Sequence, residues 1–117
     1  MDQNELKART KKFALRILKL TAALPKTDEA RVVRNQLSRS GTSVGANYRA
    51  SCRARSRAEF ISKMGNVIEE ADESCYWMEI IIEGGMLPEE KVIALLQEGN
   101  ELTAIMTASR KTAEENK

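Results

Sequence analysis

Histidine is absent from the sequence, which removes the usual general base near neutral pH and the commonest protein metal ligand. Aromatic residues make up only 4% of the chain, and proline occurs twice, at Pro25 and Pro88. That is a poor stock for a sandwich or barrel, which draws on aromatic and β-branched residues. Cysteine is scarce as well: Cys52 and Cys75 have neither CxxC spacing nor a ligand cluster beside them. They read as reduced, buried thiols rather than a disulfide or redox pair. No apolar run approaches the roughly 18 residues of a membrane span, and the N-terminal MDQNELKARTKK lacks the apolar core of a signal peptide. Nor can a nucleophile, a base or a metal set be assembled from the remaining residues. The expectation is a cytoplasmic protein without enzymatic activity, cofactor, metal or membrane partner.

What the chain holds in quantity is Leu, Ile, Ala, Met, Glu, Lys and Arg, in 117 residues. One all-α domain spanning residues 1–117 is the reading. Leu6, Phe13, Ile17, Leu20 and Leu24 share a narrow arc at about 100° per residue, so a first helix is expected over about 4–23, closed by Pro25. Thr27, followed by Asp28 and Glu29, is a suitable N-cap for a second helix over 28–54. Its seam is Val33, Leu37, Ser40, Val44, Asn47 and Ser51, and it runs unbroken through SGTSVGANYRASCRARS, a stretch whose composition would otherwise suggest a loop. Ser56-Arg57-Ala58-Glu59 matches a capping box, opening a third helix over 57–83 that Gly84 and Gly85 end. Its seam is Phe60, Met64, Val67, Ala71, Ser74, Met78 and Ile81. Pro88 suits the first position of a fourth helix over 88–111, with Val92, Leu95, Gly99, Leu102 and Met106 inward and a frayed tail after it. Short connections make neighbours antiparallel, which gives an up-down-up-down four-helix bundle.

The net charge of +2 conceals a division along the chain. Residues 31–57 hold seven arginines and no acid, whereas residues 58–83 hold seven acids and Lys63 alone. On the first helix Arg9, Lys12, Arg16 and Lys19 form a basic stripe at spacings of three and four. On the second, Arg49 and Arg53 face outward with Arg31, and Arg55 and Arg57 add charge at the turn. Arginine without lysine suits bidentate phosphate contact, which makes Arg39, Arg49, Arg53, Arg55 and Arg57, with the stripe on the first helix, the candidate nucleic-acid contacts, although a solvated face is the plain alternative. Pairing helices 2 and 3 about Ser56 sets Ser40 level with Ser74, Arg39 near Glu73 and Arg49 near Glu69, so part of the charge is expected to be internal. Ser40, Asn47 and Ser74 then form a polar seam that fixes register; alternatively, Ser40, Ser43 and Asn47 line a polar pocket. Leu15 and Leu18 on helix 1, and Tyr76, Trp77 and Ile80 on helix 3, point away from the seams and are expected to form an oligomer interface.

NQLSRSGTSVGANYRASCRARS followed by EFISKM, then IEEADESCYWMEII and NELTAIMTASRKTA, resemble the small bacterial proteins named for the intervening sequences of 23S ribosomal RNA genes. The likeness covers about Leu24 to Ala113. It implies an antiparallel four-helix bundle assembling as a homopentamer. It also implies kinship with the accessory variability determinant of diversity-generating retroelements, a basic pentamer that binds nucleic acid and a reverse transcriptase. The family pattern falls on Gln36, Arg39, Ser40, Ser43, Val44, Asn47, Glu59, Phe60, Glu69, Glu73 and Trp77, most of which read as architecture. Two functions are open from the sequence. One is an accessory factor that binds RNA or DNA along its backbone, with a reverse transcriptase as partner. The other is an oligomeric scaffold or protein-interaction module.

Overall fold

Side chains open three of the helices in the computed structural model, which describes residues 1–116. Asp2 caps α1 (Gln3–Ala22), its carboxylate accepting from the Glu5 amide at 2.8 Å. Thr27 accepts from Ala30 at 3.2 Å and begins α2 (Asp28–Cys52). Ser56 accepts from Glu59 at 3.1 Å and begins α3 (Arg57–Glu83), the expected serine half of the capping box. α3 ends in a Schellman motif: the Met86 amide donates to Ile81, and the Gly85 amide to Ile82. Gly85 takes φ +67°, a conformation that side-chain-bearing residues avoid.

The fourth helix departs from expectation. Pro88 is extended (ψ 144°) and precedes a single 3-10 turn at Glu89–Lys91, so α4 begins only at Ile93. It then continues to Glu115, past the expected end, and Lys117 lies outside the described residues. α2 stops two residues short of the expected boundary, at Cys52, where Arg53 leaves helical geometry. No strand is present among the described residues, and the fold is all-α with four helices.

α1 packs on α2 and α4, and α3 likewise packs on α2 and α4. The shared core contains Phe13 and Ile17 of α1, Leu37 and Val44 of α2, Met64, Met78 and Ile81 of α3, and Leu102 and Met106 of α4. Each such side chain contributes about 1.5–3 kcal/mol by leaving water. Glycine sets the closeness of two seams. A Cβ on Gly41 would lie 2.7 Å from Ile17 Cγ1 and Cγ2, and one on Gly99 would lie 2.7 Å from Cys75 Sγ. At Gly45 the opposing residue is Thr10, which is fully buried and donates to the Leu6 carbonyl at 2.8 Å.

Two expectations about the inner faces are corrected. Asn47 is only half-buried, and Tyr48 takes the inward place instead at 4% exposure. The cause is that α2 lies between two neighbours. Ser40 and Ser74 meet on its α3 flank, whereas Gly41, Gly45 and Tyr48 lie toward the α1 flank, which a single seam overlooks. Trp77 and Ile80 are not outward-facing: both are half-buried and packed against the core, with Trp77 Nε1 donating to Glu73 at 3.4 Å. Of that group Tyr76 alone is exposed, its ring edge-on to Trp77 at 5.0 Å.

Candidate nucleic-acid interface

The cations sort by what each already touches. Arg9 is held by Glu98 of α4 through two bonds, Nε at 2.7 Å and Nη2 at 2.6 Å, with Glu101 at 3.7 Å. Glu98, which hydrogen-bonds Arg9 and lies in the added field of Arg16 and Lys12, has its carboxyl held below the ordinary range. Arg39 reaches Glu73 at 3.0 Å and Glu70 at 3.9 Å, Arg57 donates to the Asn116 carbonyl, and Arg31 pairs weakly with Asp28 at 3.4 Å. Arg34 donates to the carbonyls of Thr21 and Pro25, tying α2 to the end of α1 and the connection that follows it. Arg9, Arg39 and Arg57, expected as phosphate contacts, are thus engaged internally. Two carboxylates and a backbone carbonyl, 89, 34 and 59 residues distant, claim them.

The remaining cations are divided by the fold. Lys12 of α1 joins Arg49 and Arg53 of α2 around a groove that Lys7, Lys11, Ala8 and Leu15 complete, and no carboxylate lines it. Lys7 and Lys11 were missed in sequence because they lie off the Arg9–Lys19 stripe, on the flank of α1 that approaches α2. Arg53 also lines an adjoining cleft with Arg55, Glu59 and Lys63, so positive surface continues around the end of α2. Arg16 and Lys19 instead border a separate groove with Leu87 and Lys91. The expected α1 stripe is therefore not one surface: Arg9 turns to α4, Lys12 to α2, and Arg16 and Lys19 to the entry of α4.

The polar seam is small. Ser74 Oγ donates to Ser40 Oγ at 3.2 Å, both fully buried. Ser43 Oγ donates to the Arg39 carbonyl at 2.6 Å, and among the described residues no side-chain hydrogen bond involves Asn47. Beside them Glu70 is mostly buried, with Oε2 lacking a hydrogen bond, and its desolvation raises its carboxyl above the ordinary range. Burial also raises the Tyr48 hydroxyl, helped by the neighbouring Cys52, and pushes the Cys75 thiol up to about 11. Tyr48 and Cys75 are neutral near pH 7 and, lying in the packing, are not poised as nucleophiles. Among the described residues no group of three or more Cys, Asp or Glu is placed to hold a metal ion, and no helix is long and apolar enough to cross a membrane.

A four-helix all-α fold with a cationic groove over α1 and α2 defines the class structurally. The chain belongs to the 23S rRNA-intervening sequence protein family, whose sequence model matches residues 2–108. Among solved structures it is similar to a protein of unknown function from the S23 ribosomal protein family of Bacteroides thetaiotaomicron. The two share 33% identity and a TM-score of 0.86, over 95% of this chain and 99% of that one. No curated protein matches the chain.

Proposed function

We propose that the chain is a non-enzymatic, cytoplasmic, antiparallel up-down-up-down bundle that assembles as a homo-oligomer and holds RNA or DNA by its phosphate backbone. The α1/α2 groove carries this reading. Lys7, Lys11, Lys12, Arg49 and Arg53 line it without a carboxylate, and none of them is ion-paired among the described residues. Like charges gathered in one groove repel and raise the local potential, which a polyanion relieves. Binding of this kind draws its affinity from counterion release and reads no base sequence. The resemblance to the retroelement accessory protein extends the proposal to a pentamer and to a reverse transcriptase as partner.

The test is a salt titration of RNA and duplex DNA binding by the purified protein. The logarithm of affinity is expected to fall linearly with that of salt, by about 0.9 per duplex phosphate neutralised. Salt-insensitive binding overturns the reading, as does full affinity in a Lys11→Glu, Arg53→Glu variant. A scaffold without nucleic acid is the second reading, favoured by Leu15 and Leu18, which are 62% and 47% exposed on α1. It predicts normal assembly and no binding at any salt concentration.

A further inference from the structure

We infer that Tyr76 and the carboxylates around it on one copy of the chain seat in the groove between α1 and the entry of α4 on a second copy. The inference rests on the self-association proposed above and names the surfaces that make it. The groove, of about 520 Å³, has Leu20, Leu87 and Leu95 on its walls and Arg16, Lys19 and Lys91 as its charged members; no carboxylate lines it. These three cations make no ion pair among the described residues. An occupant must therefore present an apolar tip flanked by negative charge.

The chain itself carries such a group. Tyr76 is 54% exposed, and helical spacing puts Glu69, Asp72, Glu79 and Glu83 on its face of α3. All four carboxylates are exposed, and none is ion-paired among the described residues. α3 packs on α2 and α4, so this face and the α1 groove are different surfaces and cannot fill one another within a copy. Two acidic faces repel each other, and so do two basic grooves, whereas face on groove pairs opposite charges and buries the tyrosine ring. The contact joins unlike patches and is heterologous, the kind that closes into rings.

Charge reversal with rescue tests it, read by sedimentation at micromolar concentration with circular dichroism as the check on folding. Lys19→Glu with Lys91→Glu is expected to raise the assembly concentration at least about tenfold, because like charges then face each other. Adding Glu79→Lys and Glu83→Lys to that variant is expected to restore assembly with the polarity exchanged. Trp77, the single tryptophan, lies beside the Tyr76 ring, and its emission in the wild-type protein is expected to shift to longer wavelength as dilution separates the copies. Wild-type assembly by the groove variant, failure of the fourfold variant to recover, or unchanged emission through dissociation overturns the contact while leaving self-association standing. A wild-type protein that is monomeric at these concentrations overturns both.

Discussion

Arg9 and Glu98 stand 89 residues apart in sequence and meet through two charge-assisted hydrogen bonds, with side chains only 22% and 16% exposed. Arg9→Ala would leave Glu98 half-buried without its partner, and we expect a loss of about 2 kcal/mol by urea unfolding at pH 7. The pair also sets a pH response. Because Glu98 titrates below its ordinary 4.5 in the folded protein, its contribution is complete above about pH 4.5 and disappears as the pH falls through the folded value. Glu70 has the opposite sign: its folded value is raised, chiefly by desolvation, so stability falls as pH rises from the unfolded to the folded value, and the full penalty persists above it. Glu70→Gln is expected to raise the urea midpoint at pH 7 and to have no effect below about pH 4. A lower midpoint at pH 7 would show that its 3.9 Å contact with Arg39 outweighs the desolvation.

At the scale of an element, helix boundaries were legible wherever a local side chain sets them, as Ser56 and Thr27 do. Ser56→Ala should cost about 1 kcal/mol through the exposed first turn of α3. Two things were not legible. The delayed start of α4 depends on Pro88 being extended, a conformation that the Schellman end of α3 and the packing of Met86 and Leu87 impose. The inward turn of Tyr48 depends on α2 having neighbours on both flanks, which a single hydrophobic seam cannot represent. Glycine is where element and packing conflict: alanine at position 41 would gain about 1 kcal/mol of helix propensity. Its Cβ would nevertheless meet the stiff, branched Ile17 at 2.7 Å. Overpacking of that kind costs about 1–3 kcal/mol, so Gly41→Ala is expected to lower the thermal midpoint.

For the molecule as a whole, the charge division along the chain was visible, but its use was not. Hairpin register placed Arg39 near Glu73, and the two meet at 3.0 Å, yet only the fold shows that Arg9, Arg34 and Arg57 are committed to Glu98, the end of α1 and Asn116. Within the proposed function this yields a contrast. Arg53→Glu is expected to weaken RNA binding and flatten its salt dependence while leaving stability nearly unchanged, since Arg53 is exposed and unpaired among the described residues. Arg39→Glu should instead destabilise the protein, because it sets three carboxylates together at the α2/α3 seam, and should affect binding only through folding. Parallel urea and binding titrations of the two variants separate these outcomes.

The seat of Cys75 on Gly99 has a consequence for chemical labelling. A thiol pushed up to about 11 and covered by the facing helix has almost no thiolate for a maleimide to attack. Alkylation of Cys75 must wait until α3 and α4 part. Its rate therefore clocks the opening of that one seam. Comparing that rate with amide exchange in α1 would reveal whether the two helix pairs separate together or independently.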